Sequence, residues 1–228
     1  VEGPKNYLRF VSNGILMFLG HDDPNDGWGT KNIGLWVYEI GKGARNITEK
    51  IDNSVGYYIL GDTGEGEGIP IRFSDGKFYF ILTEFGNAVI YWADLDGNFG
   101  RLFEFRGGIS SFDTDGKTFI FSASTPTLPP ELWIYDGEVK RISKFNGWIE
   151  EVEVSDPEEF WVDSADAKIH TWILKPPDFN LNLKYPTILY IHGGPHMCYG
   201  NVFFHELQTT ASNGYIVVYS NPRGSKGY

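Results

Sequence analysis

The sequence predicts two fold types in succession. Residues 1–148 read as an incomplete β-propeller with about three blades visible, and residues 149–228 as the start of an α/β domain. Three observations predict this. Short aromatic and β-branched runs alternate with Asp-Gly and Asn-Gly turns. Two separate markers recur in step about 40 residues apart, the length of one four-strand blade. Beyond about residue 150 the pattern changes to strand, glycine loop, helix, strand, which is a βαβ unit with parallel pairing.

The first marker is a turn followed by an apolar run. Ser74-Asp75-Gly76-Lys77 precedes Phe78-Tyr79-Phe80-Ile81-Leu82, and Thr114-Asp115-Gly116-Lys117 precedes Thr118-Phe119-Ile120-Phe121. Ser12-Asn13-Gly14 before residues 15–19 is an earlier copy. The second marker is Leu35-Trp36-Val37-Tyr38, then Val89-Ile90-Tyr91-Trp92, then Leu132-Trp133-Ile134-Tyr135. The later two copies are trailed by further turns, residues 94–98 and Asp136-Gly137, each with another strand beyond. The first copy is stretched by two polar Gly-rich segments, residues 22–29 and 61–68, read as inserted loops. Their carboxylates Asp22, Asp23, Asp26, Asp62, Glu65 and Glu67 are hard oxygen ligands. An EF-hand register, however, puts Pro24 at a ligand position and Ile33 where the bidentate Glu belongs, so that motif fails. A propeller closes with about four to eight blades, so the three visible are a partial set. A plain all-β sandwich explains the turns equally well, but not two markers in step.

Residues 149–154 read as an acidic strand, and residues 167–174 alternate as a half-buried strand stopped by Lys175-Pro176-Pro177. Residues 185–191 form a near-continuous apolar run of the kind covered on both faces, ending in His192-Gly193-Gly194-Pro195. Residues 201–213 read as a helix with Gly214 past its C-terminus, and residues 215–219 as a second buried strand leading into Ser220-Asn221-Pro222-Arg223-Gly224.

Composition narrows the function. Lys and Arg number 19 against 30 Asp and Glu, a formal charge of −11, which opposes binding to nucleic acid or an anionic membrane. Aromatic residues make up 16%, enough for a large core and incompatible with disorder. Cys198 is the only cysteine, so an intrachain disulfide and a thiolate metal cluster are excluded, and a reducing, cytoplasmic compartment is the simpler expectation, although a lone cysteine is compatible with export as well. The longest apolar run, residues 15–19, is strand-sized. His192 and His196 are four apart, but Gly193-Gly194-Pro195 between them forbids the helix a zinc motif needs. The glycines of residues 61–68 lack the context of a phosphate loop. No metal and no cofactor are expected.

Glycines at the carboxyl end of a strand can turn the backbone sharply and present bare N–H groups to a developing oxyanion. A tight turn with no chemistry fits the tetrapeptide as well. The strand ending in His192-Gly193-Gly194-Pro195, the loop Asn221-Pro222-Arg223-Gly224-Ser225-Lys226-Gly227-Tyr228 and the propeller repeats together resemble the prolyl oligopeptidase family of serine peptidases, acylaminoacyl peptidases most closely. That resemblance implies that residues 149–228 open an α/β-hydrolase domain beneath a propeller that restricts access to it. It implies hydrolysis of short peptides through an acyl-enzyme, with release of N-acylated amino acids. A dipeptidyl or oligopeptidase activity of the same family, or a non-catalytic propeller scaffold, are the alternatives. Gly194 then matches the oxyanion donor and Gly193 the residue permitting the turn. His192 lies ahead of any nucleophile, out of order for the Ser, Asp, His sequence of this fold, and reads as orienting or structural.

One departure limits the reading. No serine has glycines at both −2 and +2, as the nucleophile elbow requires; Ser225 comes nearest, with Arg223 in place of the first glycine. The chain is therefore expected to be a fragment, beginning at Val1 and stopping at Tyr228 short of the triad, and inactive alone. Its expected partners are short peptides, and either a second copy or a complementary chain carrying the triad.

Overall fold

The computed structural model describes residues 2–26, 29–64, 71–194 and 196–228. Twelve strands form three antiparallel four-strand meanders. The first holds β1 (Lys5–Ser12), β2 (Ile15–Gly20), β3 (Gly34–Glu39) and β4 (Gly43–Asn46). The second holds β5 (Ile71–Ser74), β6 (Lys77–Glu84), β7 (Asn87–Asp94) and β8 (Phe99–Arg101). The third holds β9 (Gly108–Thr114), β10 (Phe119–Thr125), β11 (Leu128–Tyr135) and β12 (Val139–Arg141). The second and third are joined by one parallel bridge, from Ala88 of β7 to Gly108 of β9. Among the described residues no sheet closes on itself.

Both sequence markers fall at equivalent places. The Asn-Gly and Asp-Gly turns join the first and second strands of each meander, and the Trp-containing runs are the third strands, β3, β7 and β11. Asp75 and Gly76 have φ of 48° and 77°, the left-handed pair a tight hairpin requires. The run Phe78–Leu82 is unbroken because β6 is covered on both faces. Phe78, Phe80 and Leu82 pack with Leu19, Leu35 and Val37 of the first meander, while Tyr79 and Ile81 pack with Phe112, Phe119 and Phe121 of the third. The described part of residues 22–29 lies between β2 and β3, and residues 61–64 lie between β4 and β5, as inserted loops should; Gly27, Glu65 and Glu67 lie outside the described residues.

A separate sheet has the order β13 (Glu158–Ser164), β14 (Ala167–Leu174), β16 (Ile216–Asn221), β15 (Thr187–Tyr190). β15 and β16 are parallel and joined through α1 (His205–Ser212), so the βαβ unit is present. Three sequence readings change. Residues 149–154 are not a strand: Gly147–Glu151 is a 3-10 turn followed by irregular backbone. β15 is not covered on both faces. It forms the sheet edge, with Leu189 59% and Ile191 77% exposed, because β16 is its sole partner among the described strands. The helix begins at His205, four residues later than read, because Asn201 and Phe203 are tied to the second and third meanders. Asn201 N–H donates to Gly86 O (2.7 Å) and Phe203 N–H to Ser124 Oγ (2.8 Å). Gly214 does close the helix, with φ 84° and its N–H on Ala211 O.

The tip of the β6–β7 hairpin, Phe85-Gly86, docks on this last sheet. A Cβ on Gly86 would stand 2.6 Å from the Trp172 indole, and one on Gly200 would stand 2.3 Å from Gly86 O, so both positions need glycine for close approach. Cys198 and Val202 enter the core of the third meander, which joins the two parts through packed apolar surface.

Candidate active site

The site is built from two loops at the carboxyl ends of the parallel strands, where open α/β sheets place ligands. After β15 comes His192-Gly193-Gly194; Pro195 lies outside the described residues. After β16 comes residues 221–228. One side-chain bridge joins them. His192 Nε2 is 3.0 Å from Ser225 Oγ, while His192 Nδ1 is 3.0 Å from Gly193 O. Ser225 Oγ also reaches Pro222 O at 2.7 Å, which closes its own turn. His192 thus bridges the two loops, and Ser225 is held inside the second.

The two glycines divide differently from the sequence reading. Left-handed backbone falls on Gly194, at φ 115°, whereas Gly193 is not in that region and has open space where a Cβ would go. The conformational demand for glycine therefore sits at Gly194, because that is where the chain reverses. Gly194 is exposed, so the residue is not sealed within packed protein.

Asn221 anchors the second loop. It is buried, its Oδ1 accepts Tyr199 N–H (2.7 Å), and its Nδ2 donates to Tyr199 O (2.9 Å) and to Tyr228 Oη (2.7 Å). Tyr228 Oη meets His170 Nδ1 at 2.9 Å, and His170 Nε2 lies 3.2 Å from Glu159 Oε2. One assignment satisfies every atom: the phenol donates to Nδ1, and Nε2–H donates to the carboxylate. Trp161 stacks on His170 at 4.4 Å and 8°. Hydrogen bonding from His170 and then Arg106 outweighs partial burial and holds the Glu159 carboxyl down at about 2. Desolvation pushes the Tyr228 phenol up.

Beside these loops lies a cavity of about 420 Å³, bounded by His196, Ser225, Lys226 and the β14 residues Lys168 and Ile169. Lys226 is 9% exposed, its Nζ donates to Lys31 O at 3.1 Å, and burial pulls its pKa down. Cys198 is no nucleophile, since burial pushes its thiol up to about 12. Among the described residues no group of three or more His, Cys, Asp or Glu could hold a metal, and no helix is long and apolar enough to cross a membrane.

The Glu159–His170–Tyr228–Asn221 chain was missed in the sequence because its members lie on three separate segments. The only signal was Asn221 at the head of a glycine loop. Asp62, read among cation ligands, instead caps α1: its two oxygens accept His205 N–H and Glu206 N–H, both at 2.8 Å.

No protein-family model matches the chain. It is 36% identical over 203 residues to the uncharacterized peptidase YuxL of Bacillus subtilis, covering 85% of this chain and 31% of that protein. It is 33% identical over 178 residues to dipeptidyl-peptidase 5 of Trichophyton equinum, covering 68% of this chain and 23% of that one. The fold of the Pyrococcus horikoshii acylaminoacyl peptidase superposes with a TM-score of 0.77 at 30% identity, covering 94% of this chain and 32% of that one. The chain thus spans about a third or less of the length of these relatives. They place the resemblance in the class of prolyl oligopeptidase family peptidases. Within it, two solved structures matched at 30% identity are acylaminoacyl peptidases.

Proposed function

We propose that these residues are the propeller portion and the opening of the α/β-hydrolase domain of a cytoplasmic serine peptidase, divided near residue 148. It hydrolyses short peptides through an acyl-enzyme and releases N-acylated amino acids. The observation that carries this is the glycine reversal at Gly194, exposed at the end of a parallel strand and clasped to the second loop through His192 and Ser225. In this reading the Gly194 N–H faces the tetrahedral oxyanion, an interaction of about 3–4 kcal/mol. Gly193 completes the loop, and a triad outside these 228 residues supplies attack and proton transfer.

Two comparisons support the substrate class. An acylaminoacyl peptidase that superposes with a TM-score of 0.78 was solved in complex with Z-Gly-Gly-Phe-chloromethyl ketone, a blocked peptide. The dipeptidyl-peptidase 5 relatives favour a second reading in which dipeptides are the product.

Labelling with a fluorophosphonate tests the assignment. The protein containing this sequence together with a G-x-S-x-G segment is expected to be labelled at that serine, and the 228-residue chain alone to stay unlabelled. Labelling of the isolated chain at Ser225 would overturn it. Turnover of N-acetylated against free-amine dipeptide amides separates the two specificities.

A further inference from the structure

The cavity beside the two loops has a charge opposite to that of the molecule. The protein carries −11, yet Lys168, Arg223 and Lys226 all border this cavity, and no Asp or Glu is among the described residues that line it. Acids stand behind the lining, among them Asp163, opposite Lys168 in the β13–β14 register; Asp166 pairs with Arg223, and Asp26 lies within electrostatic reach of Lys226. Neither pairing spends the whole charge. Arg223 is largely exposed, and the one hydrogen bond of the Lys226 ammonium noted above goes to a neutral carbonyl. A buried ammonium held this way pays a desolvation cost that a bound anion would relieve.

We infer that this cavity is a subsite for a peptide carboxylate, with Lys226 as its inner cation and Lys168 and Arg223 as its rim. This deepens the peptidase reading and rests on it for the ligand being a peptide. Ser225 and His196 border the cavity and belong respectively to the second loop and to the segment just beyond Gly194, so a peptide at the reversal has the cationic cleft next to it. About 420 Å³ holds a terminal residue or one acidic side chain. The same chemistry serves a C-terminal carboxylate and a Glu side chain, and the test separates them.

The 228-residue chain is titrated by calorimetry with three peptides: N-acetyl-trialanine free acid, its amide, and N-acetyl-Ala-Glu-Ala amide. The free acid is expected to bind at least about tenfold more tightly than the neutral amide, with an affinity that falls as NaCl is raised. Binding of the Glu-containing amide as well assigns the site to either carboxylate; its failure to bind assigns it to the C-terminus. Lys226→Gln should remove the difference between acid and neutral amide. Because Lys226 is buried and its loss could unfold the loop, the exposed pair Lys168→Gln/Arg223→Gln serves as a second variant and should weaken acid binding several-fold with an unchanged circular dichroism spectrum. Equal affinity for all three peptides, no binding of either acid, or unaltered acid binding in the exposed double variant would each overturn the subsite. Such a failure with fluorophosphonate labelling of the longer protein intact leaves the peptidase reading standing; acid binding without labelling does the reverse.

Discussion

Gly193 and Gly194 are adjacent and chemically identical, yet the backbone asks different things of them. At φ 115° an L-residue is strained at Gly194, and its Cβ would also meet Met197 Cγ at 3.0 Å. Gly194→Ala is expected to cost about 1–2 kcal/mol, and Gly193→Ala less than about 0.5 kcal/mol. Urea denaturation of the two variants reads the difference directly, and equal midpoints would contradict the assignment of the reversal to Gly194. The tetrapeptide was legible in the sequence as a strand-end glycine turn, because its position after an apolar run is a local property. Which glycine carries the left-handed backbone was not, since that depends on where Met197 and the following segment return against the loop. Lys226 escaped notice for a similar reason. A lysine in a Gly-Ser-Lys-Gly loop reads as solvated, and it is the docking of the inserted loop carrying Lys31 that buries it.

At the scale of elements, the repeats were readable because a four-strand meander is specified by local turns and by which strand faces are covered. The start of α1 was not. Its N-cap residue, Phe204, has no side-chain acceptor, and the acceptor comes instead from Asp62, more than 140 residues earlier. A carboxylate on the first amides satisfies two orphan donors and opposes the positive end of the helix dipole. Asp62→Ala is expected to destabilise the chain by about 1–2 kcal/mol. Hydrogen exchange should quicken at Leu207–Ala211 before it does in β6. Unchanged exchange in α1 would show that burial of Leu207 and Ala211 holds the helix without the cap. The exposure of β15 was equally out of reach of the sequence, because an apolar run does not say how many strands lie beside it.

Across the whole molecule, the three meanders and the βαβ sheet meet at several places, among them the Phe85-Gly86 tip against Trp172, the Cys198 and Val202 side chains in the core of the third meander, and an ionic cluster around Arg106. The guanidinium, carried on the connection from β8 to β9, reaches Asp156 (2.8 Å) and Glu159 Oε1 (3.1 Å), while the other oxygen of Glu159 holds His170. Glu159 therefore ties the two parts together and supports the chain that ends on Asn221. Its folded pKa of about 2 lies below the ordinary carboxylate value of 4.5, so the folded state favours the ionised form. A depressed acid contributes stability that is fully present above its unfolded pKa and is lost as pH falls from about 4.5 towards 2. Partly buried Asp26, also held at about 2 by the backbone amides of Thr30 and Lys31, adds to the same acid limb, so the wild-type profile alone does not single out Glu159. The comparison with Glu159→Gln does. The variant is expected to be less stable than wild type at pH 7, with the gap between them narrowing steadily from pH 4 to 2.5, as measured by urea midpoints at pH 7, 4 and 2.5. Trp161 and Trp172 fluorescence should report the same midpoints as far-UV circular dichroism if the two parts unfold as one. Parallel acid limbs for the two proteins would mean that Arg106 and Glu159 share a surface without coupling it, and that the docked hairpin tip and the apolar packing of Cys198 and Val202 hold the meanders to the sheet.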